Sequence, residues 1–177
     1  AYVVAKEPGG PAIWIDCNGA HDDLHAFVEA NDLTIEGILL THHHIDHIYE
    51  LDEIKERYGV PVAASARAIE LIREDGHYTG DIERTLDECE EFELAGLSIK
   101  AMPTPGHAGG HLAFLVDGTD VFTGDVLFDG TVGGTRAPGN SGLDDLKASL
   151  DRLLALPDET VVHPGHVSPT TIGAERA

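Results

Sequence analysis

The chain has 177 residues, 42% of them hydrophobic, with 11 Lys+Arg against 32 Asp+Glu and a formal net charge of -21. The length suits a single domain over residues 1–177 with a proper core, and no apolar run approaches the roughly 20 residues of a membrane span. The missing basic stripe argues against a phosphate backbone, so a small molecule is the expected partner, with neither nucleic acid nor membrane involved.

In chain order, short apolar runs predict strands at Tyr2–Ala5, Ala12–Cys17, Ile35–Leu40, Val60–Ala63, Glu91–Leu94, Ser98–Met102, Leu112–Val116, Asp120–Thr123 and Thr160–Val162. Amphipathic spacing predicts helices at Asp22–Ala30, Ile48–Arg57, Ala66–Glu74 and Leu143–Leu154, the last with a stripe of Leu143, Leu146, Leu150, Leu153 and Leu154. Several strands adjoin without a helix between them. Leu94-Ala95-Gly96-Leu97 and Val116-Asp117-Gly118-Thr119 read as hairpin turns. That pattern disfavours a doubly wound sheet and favours two sheets with helices packed outside. The dense acidic stretch Asp81–Glu93 reads as solvated surface, and the charge as a whole suits a salty cytosol. Cys17 and Cys89 form neither a spaced metal pair nor a disulfide framework, no signal peptide opens the chain, and a cytoplasmic setting is expected. The chain opens at Ala1 inside an apolar run, which reads as a trimmed start.

The stretch THHHIDHIYE, Thr41 to Glu50, follows the apolar run Ile35–Leu40 directly. If the extended backbone persists, His42 and His44 point to one side and His43 to the other. The chain must then turn near Asp46 and His47. His42, His44, Asp46 and His47 can thus face one cleft, and nitrogen and carboxylate donors at such spacing suit Zn²⁺, Fe²⁺ or Mn²⁺ rather than Ca²⁺. His43 is read as a bystander. TPGHAGGH adds His107, FTGDVLF adds Asp125 just after a strand, and VVHPGH adds His163 and His166.

These motifs, from IWIDCNG (Ile13 to Gly19) through H-x-H-x-D-H, TPGH and TGD to the closing PGH, resemble the metallo-β-lactamase fold superfamily over nearly the whole chain. TPGHAGGH, FTGDVLF and HPGHVSPTTIGAER look like its short hydroxyacylglutathione hydrolase (glyoxalase II-like) branch. The resemblance implies an α+β fold, an αββα sandwich of two mixed β-sheets with helices on the outer faces. It implies two divalent metal ions, Zn²⁺ by default with Fe or Mn as alternatives. His42, His44 and His107 would hold the first, Asp46, His47 and His166 the second, and Asp125 would bridge. Asp16 would orient a ligand from behind, and His163 matches no ligand position. His111 is divided between supporting the fold and lining the pocket mouth.

The implied chemistry is attack of a hydroxide, shared by the cations, on a thioester carbonyl, with Asp46 as the catalytic residue that orients it and carries a proton. Fuller glyoxalase II members carry a further C-terminal helical region whose basic residues grip glutathione. This sequence runs only eleven residues past His166, so that grip is expected to be absent. In Phe128–Gly142, which departs from the G-R-x-D-type run of the family, Arg136 is the only cation and a candidate anchor for a substrate carboxylate. Two rivals use the same residues: a lactonase, and a mononuclear iron persulfide dioxygenase with His42, His107 and Asp125 as a facial triad.

Overall fold

A computed structural model of the chain describes residues 1–19 and 21–176. Strands β1 (Tyr2–Ala5), β2 (Pro11–Ile15), β3 (Thr34–Leu39), β4 (Val62–Ser65) and β5 (Arg84–Leu86) form one sheet in that order. The first pair is antiparallel and the others are parallel. The second sheet contains β6 (Glu91–Leu94), β7 (Leu97–Pro103), β8 (Leu112–Val116), β9 (Asp120–Gly124), β12 (Val161–Pro164) and β13 (Thr170–Thr171), in the order β13-β12-β9-β8-β7-β6. Among the described residues its one parallel pair is β12 with β9. A two-stranded ribbon, β10 (Leu127–Phe128) with β11 (Thr131–Val132), stands apart.

Alternation along the strands builds the layers. Ile13 and Ile15 of β2 face the second sheet and pack with Ile99, Leu112, Phe114 and Phe122. Their neighbours Ala12 and Trp14 face the opposite way, into a core shared with Leu51, Ile54, Ile69 and Ile72. Those four come from helices α3 (Leu51–Tyr58) and α4 (Ala66–Asp75), which lie outside the first sheet with α1 (Asp22–Ala30). On the far side, Leu146 and Leu153 of α5 (Leu143–Leu154) pack with Met102, Ala113, Val121 and Val162, joined by Ile172 of α6 (Ile172–Arg176). The fold is therefore the expected αββα sandwich. Truncating Leu153, which is fully buried, to Ala would cost about 2–5 kcal/mol. Among the described residues no helix is long and apolar enough to cross a membrane.

Four details differ from the sequence reading. The Asp81–Glu93 stretch is not only surface: Arg84–Leu86 pairs with Ala63–Ser65 as the edge strand β5. The helix expected at Ile48–Arg57 is two pieces, α2 (Ile45–Ile48) and α3. The amide of Cys17 donates to the His47 carbonyl at 2.7 Å, taking the acceptor that a continuous helix would need. Leu143 falls outside its helix's stripe and is exposed. The strand expected to reach Cys17 ends at Ile15, because Asp16 adopts φ 57° and turns the chain. Both expected hairpins are present, with Leu94 opposite Leu97 and Val116 opposite Asp120.

Candidate dinuclear metal site

The site is assembled at the rim where β2, β3, β7, β9 and β12 end. After β3 the chain carries Thr41, His42 and His43 inward, all buried, and His44 caps α2 in an extended conformation (φ -60°, ψ 144°). His42 Nε2 lies 3.1 Å from His44 Nδ1, and His107 Nε2, from the loop between β7 and β8, lies 3.0 Å from that same nitrogen. Across from this trio, Asp46 Oδ2 lies 3.2 Å from His166 Nε2 and 3.9 Å from His47 Nε2. Asp125, which follows β9, reaches both groups. Its Oδ1 is 3.3 Å from His47 Nε2, and its Oδ2 is 3.4 Å from His166 Nε2 and 3.6 Å from His107 Nε2.

The hydrogen bonds behind the rings decide which nitrogen each one offers. His107 Nδ1 donates to the Gly134 carbonyl at 2.8 Å and His44 Nε2 to the Pro138 carbonyl at 3.3 Å. His47 Nδ1 donates to Asp16 Oδ2 at 2.8 Å. Thr41 Oγ1 donates to the same Asp16 oxygen at 2.8 Å, so it can only accept from His42 Nδ1 at 3.0 Å. His42, His44 and His107 therefore present a lone pair to the centre, and His47 does so once its Nε2 proton is released.

His47 Nε2 and Asp125 Oδ1 are buried and make no hydrogen bond among the described residues. The two face each other at 3.3 Å, a pairing that is costly to bury unless a positive charge, a proton on His47 or a metal ion, lies between them. In each group the donor atoms lie within 4.8 Å of one another. Nitrogen and carboxylate donors of this kind fit a divalent transition metal. His42, His44 and His107 would hold one ion, Asp46, His47 and His166 the other, with Asp125 shared.

Charge is concentrated here. Burial alone would lower the His47 pKa, but the Asp16 and Asp125 carboxylates outweigh it and raise it to about 10. Burial would raise Asp16 and Asp125. The nearby His47 charge holds both below the usual carboxylate range, helped at Asp16 by hydrogen bonds from His47 and the Thr41 amide, and at Asp125 by His166 and His107. Burial, followed by its histidine neighbours, pushes His42 far down.

Close approach requires glycine at Gly165 and Gly124, among other positions around the site. A Cβ on Gly165 would lie 2.2 Å from Asp125 Oδ1 and 2.7 Å from His47 Cε1. Gly124 has φ 48°, and its Cβ would meet His111 Nε2 at 2.6 Å and Thr41 Oγ1 at 2.8 Å.

The remaining sequence candidates are placed as follows. Asp16 lies behind the two groups, bonded to His47 Nδ1 and Thr41 Oγ1. His111 is fully buried and does not reach the pocket mouth: its ring stacks on His42 with centroids 4.8 Å apart, and Nδ1 bonds Thr104 Oγ1 at 2.9 Å. Its Nε2 accepts the Asp125 amide at 3.3 Å. Burial, then the nearby His107 charge, pushes its pKa down to about 3, so it stays neutral. A side chain without exposed surface cannot contact substrate, and His111 takes the fold-supporting side of its two readings. Arg136 is exposed, with no hydrogen bond or ion pair among the described residues, on the segment whose Gly134 and Pro138 carbonyls hold His107 and His44. His43 belongs to neither ligand group and is buried 3.7 Å from Asp75. His163 stacks on Phe122 and bonds Asp120 at 2.8 Å, away from both groups. Cys17 is a buried free thiol whose pKa burial raises well above the ordinary value. Thr41 and Thr104 were not singled out from sequence. Their adjacency to H-x-H-x-D-H and TPGH is the signal that could have found them.

The metal groups form an open rim. A cavity of about 570 Å³ lies elsewhere, between β1 and the second sheet, lined by residues including Tyr2, Val4, Phe122 and His163.

A model of the Metallo-beta-lactamase superfamily matches residues 1–166. The hydroxyacylglutathione hydrolase GloC of Haemophilus influenzae is 33% identical over 175 residues, covering 92% of this chain and 82% of that protein. The crystal structure of TTHA1623 in a di-iron-bound form matches with a TM-score of 0.83 and 35% identity, over 99% of this chain and 90% of that one. The BLEG-1 B3 metallo-beta-lactamase matches with a TM-score of 0.87 and 27% identity, over 98% and 88%.

Proposed function

The chain belongs to the metallo-β-lactamase superfamily, and we propose that it is a metal-dependent hydrolase of thioesters such as S-2-hydroxyacylglutathiones. The observation that carries this reading is the position of Asp125, whose two oxygens face both ligand groups at once. Cations held by His42, His44 and His107 and by Asp46, His47 and His166, with Asp125 shared, would lower the pKa of a water to make it a nucleophile near neutral pH and would polarise the substrate carbonyl. We take Zn²⁺ as the metal, and the di-iron form of the similar TTHA1623 makes iron the first alternative to measure.

The chain's own residues supply positioning and proton transfer. Asp46 is exposed at the rim, with Oδ2 against His166 Nε2, so its carboxylate can meet both water and substrate. It orients the attacking water and carries its proton toward the leaving group. A thiolate leaving group needs little protonation, so one exposed carboxylate suffices. Arg136 stands on the segment that touches the His44 and His107 side, and it binds a carboxylate of the substrate. On a chain with net charge -21 an anionic substrate is repelled almost everywhere else. The mononuclear dioxygenase reading would leave the convergent Asp46, His47 and His166 without a task. A cytoplasmic, reducing compartment is proposed on the two free cysteines, one of them exposed.

Hydrolysis of S-D-lactoylglutathione by zinc-loaded protein, with Asp46→Asn as control, tests the reading. Efficient turnover that collapses in the control supports it. Absent turnover with metals verified in place rejects that substrate.

A further inference from the structure

Six large apolar side chains are exposed among the described residues: Phe27, Ile45, Tyr49, Val132, Leu143 and Val167. Three of them sit on the second ligand group. Ile45, 40% exposed, stands in the chain between His44 and Asp46, and Tyr49, 69% exposed, ends the short helix that carries Asp46 and His47. Val167, 69% exposed, directly follows His166. Phe128, half-buried, lies with its ring centroid 6.4 Å from that of His166.

Val167 is unusual in its backbone as well. Its φ is 62°, and a β-branched side chain in the left-handed region is strained by about 1–3 kcal/mol. A glycine or asparagine would relieve the strain, yet the position carries an apolar, solvent-facing valine. On an acidic chain where 24% of residues are charged, this grouping of uncovered apolar surface around one half of a site marks a contact for something apolar.

We infer that Ile45, Tyr49, Phe128 and Val167 form an apolar collar over the Asp46–His47–His166 half of the site, and that it takes the acyl chain of the substrate. The occupant is a substrate chain rather than a partner protein because the collar is continuous with the ligands themselves: Ile45 is bonded in sequence to His44 and Asp46, and Val167 to His166. The opposite half carries Arg136, so the preferred substrate is a thioester with an apolar acyl group on an anionic thiol. This deepens the thioesterase reading and rests on it. It predicts that longer apolar acyl groups are better substrates than lactoyl.

Two measurements separate the collar from the reaction. First, kcat/KM is measured for S-acetyl-, S-butanoyl- and S-hexanoylglutathione with zinc-loaded protein. It should rise by about two- to fourfold per methylene, the range expected for partial to full burial of that group. Second, calorimetry compares S-hexylglutathione with S-methylglutathione, thioethers that cannot be hydrolysed; the hexyl compound should bind at least tenfold more tightly. In Val167→Ser and in Tyr49→Ser both ratios should fall toward one, whereas Phe27→Ser, on α1, should keep the wild-type ratios. Tighter hexyl binding without any thioester turnover would uphold the collar and reject the thioesterase reading. Turnover with no dependence on chain length, or equal or undetectable binding of the two thioethers, would overturn the collar. Ratios lost equally in Phe27→Ser would overturn it too.

Discussion

Thr41 Oγ1 donates to Asp16 Oδ2 and in turn accepts from His42 Nδ1, so a single carboxylate sets the exposed nitrogen of ligands in both halves of the site. Asp16 acts on His47 directly and on His42 through the threonine. Outer partners of this kind typically change metal affinity by about 10–100-fold. Asp16→Asn should weaken binding of both cations by that order in zinc titrations against a competing chelator. Thr41→Val keeps the shape, removes only the relay to His42, and should weaken one cation while sparing the other. Equal affinities in wild type and both variants would refute the relay.

The closing P-G-H motif has a steric explanation. Gly165→Ala places a methyl group 2.2 Å from Asp125 Oδ1, inside any contact distance, and the displaced carboxylate can no longer face both groups. The variant should fold, since Gly165 is at the rim, yet lose most metal binding and at least about 100-fold in hydrolysis. Unchanged metal content together with a wild-type circular dichroism spectrum would contradict the crowding argument.

Metal uptake should release a proton. In the metal-free protein His47 is raised from 6.5 to about 10 and is therefore an imidazolium at neutral pH. The sign is that of a raised pKa: this charge contributes stability to the metal-free fold fully below about pH 6.5, and the contribution is lost as pH rises through about 10. A cation needs the neutral ring, so zinc binding should strengthen with pH across this window, by up to about tenfold per unit. Calorimetric zinc titrations in two buffers of different ionisation enthalpy measure the release. A binding enthalpy independent of buffer would show that no proton leaves.

His111 supports the bridge from below. His111→Ala removes the ring that accepts the Asp125 amide and stacks on His42, opening a void in a fully buried position. It should cost about 2–4 kcal/mol in chemical denaturation of the metal-free protein. A loss below about 0.5 kcal/mol would mean that the ring carries no part of the fold.

Much of the site was legible because its ligands lie in compact motifs just past strand ends. H-x-H-x-D-H puts His42 and His44 on one side of an extended segment, and the structure brings them to 3.1 Å. The parts that were not legible depend on contacts distant in sequence. The division between α2 and α3 comes from the Cys17 amide, about thirty residues upstream, and no local periodicity reports it. Strand β5 is three residues, Arg-Thr-Leu, inside an acidic stretch, and pairing with β4 rather than its own pattern makes it a strand. His111 resembles the ligand His107 in its motif, and only burial behind His42 separates the two. The apolar collar was not legible in the sequence because its members come from three separate segments, Ile45 and Tyr49, Phe128, and Val167.

The most direct test of the two-cation account is the metal content of the purified chain, wild type and Asp125→Ala, by elemental analysis after saturation with zinc and removal of the excess. The account predicts about two metals per chain in the wild type and near-complete loss of both in the variant, because Asp125 is the side chain that faces both groups. One tightly held metal per wild-type chain, or two retained in Asp125→Ala, would contradict the bridged site.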